Sequence, residues 1–206
     1  MKIAVFASHE GTDLQAIIDG CKNGLIDAEV TLVISNNEDS GALRRAKKEQ
    51  IENYYISNKN YPDEEELVNK TLEVLNKSKI DIIFLAGYLK KMPEKIIKEY
   101  KNKIFNIHPA LLPKYGGKGM YGINVHKAVI EAKEKETGIT IHKVDENYDN
   151  GQIIKQTTVP VKPEDTPEKL AARVLEKEHI FIVETLSEIV ENLKKPKGKV
   201  RWNMKL

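Results

Sequence analysis

The run DIIFLAG, residues 81–87, constrains the fold more than any other stretch of the chain. Its apolar residues are continuous rather than alternating, so a strand built from it needs cover on both faces, as the central strand of a parallel sheet does. Other segments repeat the theme. KIAVFA (2–7), EVTLVIS (29–35), a short strand near NYYIS (53–57) and KIFNIH (103–108) all read as strands. Between them lie helical patterns: LQAIIDGCKNG (14–24), GALRRAKKEQ (41–50), a charged helix across about 63–77, and PEKIIKEY, with Pro93 in its first turn. NVHKAVIEAKEK (124–135) reads as the next helix. This alternation predicts an α/β fold with a Rossmann-like, doubly wound, mostly parallel sheet. The pattern then changes. TGITIHKV (137–144) and GQIIKQTTVPV (151–161), joined by DENYDN, read as an antiparallel hairpin, and a long amphipathic helix follows from about 166 to 192.

At 206 residues the chain can bury one sizeable core, and it shows no repeat, low-complexity segment or linker. It reads as one domain over 1–193 with a basic tail, KKPKGKVRWNMKL, at 194–206. That tail reads as a solvated terminus or, alternatively, a contact for a polyanion. The balance of 33 basic and 31 acidic residues gives a net charge of +2, which argues against nucleic-acid binding driven by bulk charge. No apolar run approaches a signal peptide or a membrane span. The single cysteine, Cys21, fits a reducing compartment, so a cytoplasmic protein is expected.

The segment FNIHPALLPKYGGKGMYG (105–122) carries the densest chemistry. Asn106 and His108 stand two apart on a strand, so their side chains share a face about 7 Å apart. They lie at its carboxyl end, where open α/β sheets place ligands. An amide donates to a developing oxyanion without titrating, and an imidazole can donate or move a proton near neutral pH. Both could equally be satisfied polar groups at a strand end. Downstream, Asp145, Glu146 and Asp149 crowd the hairpin connection. A carboxylate beside His108 would orient its ring and favour imidazolium, although Asp149-Asn150-Gly151 also serves as turn chemistry. After the first strand, Gly11 and Thr12 suit an anion at a helix N-terminus. Glu10 and Asp13 do not suit it if they face the ligand, and Asp13 reads equally as the N-cap or first-turn acid of the helix. The remaining histidines show no metal-ligand spacing with one another or with Cys21, so no metal is expected.

Taken together, these segments resemble the folate-dependent formyltransferases, in particular those that formylate glycinamide ribonucleotide in purine synthesis. The resemblance is carried by KIAVFAS…GTDLQAIID, LAGYLKKM, NIHPALLPKY, TGITIHKVDENYDNGQII and AARVLEKEHIF, in the family's order and close to its spacing over about 1–190. It implies the formyltransferase fold, 10-formyltetrahydrofolate as formyl donor, small-molecule substrates and a monomer or homodimer. It also implies a catalytic trio of Asn106, His108 and Asp149. Asn106 and a charged His108 would stabilise the oxyanion, each such donor contributing about 3 kcal/mol. Asp149 would keep His108 protonated and collect the proton shed by the amine. By the same resemblance, Gly11, Thr12, Asp13 and Glu178 contact the ribonucleotide. Leu85, Leu89, Lys90, Lys91, Met92, Asn106 and Asp145 contact the folate.

Three departures from the family pattern stand out. The phosphate loop reads His9-Glu10-Gly11-Thr12-Asp13, with one glycine missing and an acid in place of an amide. Glu64 stands near a position often basic, and GGKGMYG (116–122) is longer than in many members. Relatives with a C-terminal RNA-binding domain or an N-terminal regulatory domain are expected to be excluded by chain length and by Met1 leading straight into the first strand. The alternatives left are a formyltransferase acting on another amine, such as an amino-sugar nucleotide, and a folate- or nucleotide-binding protein without catalysis.

Overall fold

The computed structural model describes residues 1–195. The expectation for the basic tail, Trp202 included, therefore falls outside the described residues apart from Lys194 and Lys195. Two compact units divide the chain, Met1–Phe105 and Asn106 onward. In the first, β1 (Lys2–Phe6), α1 (Thr12–Lys22), β2 (Glu29–Ser35), α2 (Gly41–Lys48), β3 (Glu52–Tyr55), α3 (Glu64–Lys77), β4 (Ile82–Leu85) and α4 (Glu94–Glu99) alternate. β1 pairs in parallel with β2 and with β4, and β2 pairs in parallel with β3. Ile3, Ala4 and Val5 are fully buried in sequence, as are Ile82, Ile83 and Phe84. That is what strands covered on both faces require.

β5 (Ile104–His108) crosses the division, and α5 (Ile123–Glu131), β6 (Glu136–Lys143), β7 (Ile153–Pro160) and α6 (Pro167–Lys194) complete the described chain. The strands form one sheet in the order β3-β2-β1-β4-β5-β6-β7. β6 and β7 are antiparallel, from Glu136 opposite Pro160 to His142 opposite Ile153, with a register shift between Ile141 and His142. Gly138 makes this pairing possible, since a Cβ there would stand 2.2 Å from the Thr157 carbonyl oxygen. α6 packs on α5 and the hairpin. Its buried residues Leu170, Val174, Glu178, Phe181, Ile182 and Thr185 recur every three or four positions. Thr166 caps the helix, its Oγ1 accepting from the Lys169 N–H at 3.3 Å. Arg173 grips Asp165 at the same end with two hydrogen bonds of 2.7 Å.

Element ends differ from the sequence reading for local reasons. The DIIFLAG strand stops at Leu85, and Gly87 turns at φ 70 with its carbonyl accepting the Ser8 N–H at 3.1 Å. Pro93 is the N-cap of α4, with ψ 140, rather than a residue of its first turn. α5 ends at Glu131, and Lys133 beyond it adopts φ 54. α1 starts earlier than expected because Gly11 takes the left-handed N-cap conformation directly before Thr12.

Candidate functional site

Asn106 and His108 project from the carboxyl end of β5, and Asp149 reaches both. The Asp149 Oδ2 lies 3.7 Å from His108 Nδ1, and its Oδ1 lies 3.5 Å from Asn106 Nδ2. Among the acids of the hairpin connection it is Asp149, at φ 53, that meets the strand. Asp145 is instead used locally, accepting the Asn147 N–H at 2.8 Å in an Asx-type turn. Glu146 is exposed. Gly151 lets the hairpin close behind Asp149, because a Cβ there would collide with the Lys143 carbonyl at 1.9 Å.

A fourth polar side chain belongs to the cluster: His142, set aside in the sequence reading for want of metal-ligand spacing. It is 2% exposed. Its Nδ1 lies 2.7 Å from the Lys143 carbonyl, so it carries the proton and donates. Its Nε2, then a lone pair, accepts from Asn106 Nδ2 at 3.0 Å. This chain of donors fixes the Asn106 amide with its NH2 turned inward; the second N–H is only loosely engaged, at 3.5 Å from Asp149. The legible signal was positional. In TGITIHKV both faces of the strand are buried, and a histidine there must find partners. Thr140, two residues earlier on the same face, donates to the Ala110 carbonyl at 2.6 Å and accepts from Leu112 N at 3.1 Å. Gln156 adds a bond to the Leu112 carbonyl at 3.0 Å. β6 and β7 thereby anchor the HPALL segment that leaves His108.

Opposing influences act on the charge of His108. His108 is 4% exposed. Burial pushes its pKa below the ordinary imidazole value, outweighing the opposing pull of Asp149 and of the Tyr115 carbonyl, while His142 lowers it further. Asp149 stands too far for a hydrogen bond at 3.7 Å, which is why its charge does not win. Burial thus favours the neutral ring over imidazolium. Its Nε2, 2.7 Å from the Tyr115 carbonyl, holds the proton, and Nδ1 turns a lone pair toward Asp149. For Asp149, burial raises the pKa, but His142, His108 and the Gly117 N–H at 2.9 Å together bring it below the usual carboxylate value. His142 Nε2 itself stands 3.6 Å from Asp149 Oδ1.

This chemistry can be set beside known proteins. The formyl transferase family model matches residues 1–186. The chain belongs to the formyl transferase family. It is 42% identical over 178 residues to phosphoribosylglycinamide formyltransferase of Haemophilus influenzae, covering 86% of this chain and 82% of that protein. It is 40% identical over 202 residues to the chloroplastic phosphoribosylglycinamide formyltransferase of Arabidopsis thaliana, covering 98% of this chain and 67% of the plant protein. The crystal structure of phosphoribosylglycinamide formyltransferase from Bacillus halodurans matches with a TM-score of 0.87 at 34% identity, covering 94% of this chain and 97% of that one.

The other residues that the formyl transferase resemblance singled out lie as follows. In the first unit, Gly11 is the N-cap of α1 at φ 69, and a Cβ there would touch Ala42 at 2.8 Å. Thr12 and Asp13 are half-buried in the first turn, so Asp13 is a first-turn acid and not the cap. Glu10 lies 3.7 Å from Arg44, and its carbonyl accepts from Arg45 Nε at 2.8 Å. Glu64 starts α3 beside Glu65 and Glu66 under the Asp63 cap, where acids suit the positive end of the helix. Leu85 and Met92 are buried, Leu89 is half-buried, and Lys90 and Lys91 are exposed. Ser8, which the sequence reading passed over, ties this segment down: its hydroxyl accepts the Leu89 N–H at 2.9 Å and donates to Asn36 at 2.5 Å. In the second unit Glu178 sits on the buried stripe of α6.

Proposed function

We propose that this chain transfers the formyl group of 10-formyltetrahydrofolate to the amine of glycinamide ribonucleotide, a step of purine synthesis. The observation that carries the proposal is the junction of Asn106, His108 and Asp149 in a chain of this family. The neutral His108 sharpens the mechanism. As the amine attacks the formyl carbon, His108 Nδ1 takes one of its protons. The resulting imidazolium is stabilised by Asp149 and, with the Asn106 N–H, supports the oxyanion. Collapse breaks the bond from the formyl carbon to N10, and His108 returns the proton to that nitrogen. The proton count closes without a covalent enzyme intermediate. Asp149 acts in this scheme as the charge that makes protonated His108 accessible, rather than as the collector of the proton.

The residues carried over by resemblance as substrate contacts, Gly11, Thr12, Asp13 and Glu178 for the ribonucleotide and Leu85, Leu89, Lys90, Lys91, Met92 and Asp145 for the folate, belong to this same proposal. So does a cytoplasmic location, which the lone free Cys21 suits. Among the described residues no helix is long and apolar enough to cross a membrane.

The test is purified protein with 10-formyltetrahydrofolate and glycinamide ribonucleotide, following tetrahydrofolate, beside a His108→Ala control. Turnover that needs the ribonucleotide and is lost in the variant supports the proposal. Turnover without any acceptor indicates hydrolysis instead. Turnover only with an amino-sugar nucleotide keeps the chemistry and replaces the acceptor.

A further inference from the structure

The turn at 115–117 touches both halves of the His108–Asp149 pair. The Tyr115 carbonyl takes the His108 Nε2 proton at 2.7 Å, and the Gly117 N–H donates to Asp149 Oδ2 at 2.9 Å. Gly116, between them, has no room for a side chain. A Cβ there would stand 2.6 Å from Leu112 Cδ2 and 3.2 Å from the Asp149 Cβ. To present its carbonyl this way Tyr115 adopts φ 57, a conformation that a bulky side chain occupies only when its surroundings compel it.

What compels it is visible at the outer end of the side chain. The Tyr115 hydroxyl donates to Glu134 Oε1 at 2.9 Å, and Lys114 Nζ holds the same oxygen at 2.8 Å. Glu134 lies just beyond α5 in the turn to β6. One carboxylate on an independent segment thus fixes two consecutive side chains of a strained turn, and the inner edge of that turn sets the tautomer of His108.

We propose that the Tyr115–Glu134 clasp is a positioning element for formyl transfer, holding the 115–117 turn so that its carbonyl and N–H fix His108 and Asp149 for proton exchange. This rests on the reading that His108 and Asp149 carry the reaction. Neither Tyr115 nor Glu134 touches the reacting atoms; both act through the turn.

The experiment compares Tyr115→Phe, Glu134→Ala and Glu134→Gln with wild type and with His108→Ala, measuring kcat, both KM values, the pH dependence of kcat/KM and the unfolding midpoint. Loosening a pre-set geometry costs roughly 10- to 100-fold in rate, so Tyr115→Phe and Glu134→Ala lose about that much kcat with both KM values near wild type. Glu134→Gln keeps an acceptor oxygen for the tyrosine hydroxyl and recovers most of the rate. The acid limb of kcat/KM also moves to lower pH in the two damaging variants, because the Tyr115 carbonyl favours protonated His108. The other groups facing that ring, Asp149 from the hairpin loop, His142 from β6 and His126 from α5, are unaltered in these variants. Wild-type kcat and pH profile in Tyr115→Phe and Glu134→Ala, with His108→Ala inactive, would overturn the clasp alone. So would a change confined to KM, or a rate loss that simply follows a lower unfolding midpoint. Full activity in His108→Ala would overturn the underlying reading as well.

Discussion

Acidification tests the burial of His126 directly. This residue of α5 is 4% exposed, and its Nδ1 has no hydrogen-bond partner among the described residues. Burial, with a smaller repulsion from His108, brings its pKa from 6.5 to about 4. The sign follows from linkage. Between those two values the unfolded chain takes up a proton that the folded chain refuses, so stability falls as pH falls through this window and levels off below it. At 1.36 kcal/mol per pH unit, the gap corresponds to about 3 kcal/mol. Replacing His126 with leucine, apolar and of similar volume, removes the titration. Urea unfolding of wild type and His126→Leu, followed by circular dichroism at steps from about pH 7 to pH 4, measures the difference at each pH. Comparing slopes rather than absolute values removes any constant packing effect of the leucine. Wild type should lose about 3 kcal/mol more than the variant across the window. Parallel curves, or a wild type that gains on the variant as pH falls, would refute the claim that His126 is held neutral by burial.

Three further outcomes are expected. Asn106→Ala removes an oxyanion donor and should lower kcat by about 10²–10³-fold, read by steady-state tetrahydrofolate release. Asp149→Asn removes the charge that favours protonated His108. It should move the acid limb of kcat/KM to lower pH and cut kcat by roughly 10²-fold, and a limb displaced upward would contradict the claim that Asp149 favours protonated His108. Gly138→Ala drives a methyl group against the Thr157 carbonyl, and its unfolding free energy should drop by about 1–3 kcal/mol or more in a denaturant titration.

The strand and helix order was legible in the sequence because buried parallel strands leave continuous apolar runs and their crossover helices leave a periodic stripe. Val68, Thr71, Val74 and Leu75 of α3, between β3 and β4, are such a stripe, and Ile82, Ile83 and Phe84 such a run. Element ends were less legible. They depend on single backbone conformations, such as Gly11 and Lys133 at positive φ, that composition does not encode.

At the site, the pairing of Asn106 with His108 could be read from a spacing of two on a strand, since the pleat alone puts both side chains on one face. Sequence patterning could not choose among Asp145, Glu146 and Asp149. That choice was made by the hairpin closure at Gly151, which turns one of the three acids inward and leaves the others to a turn and to solvent. His142 escaped because its partner Asn106 is 36 residues away and only the packing of β6 beside β5 brings them together, and Tyr115 because it acts through its backbone carbonyl, seven residues from His108, which residue identity does not signal. The charge of His108 lay furthest from reach. The sequence by itself determined that an amide, an imidazole and a carboxylate would be available. The tertiary structure decided that burial works against a charge on the imidazole, because the cost of burying a charge depends on how much water the fold removes around it.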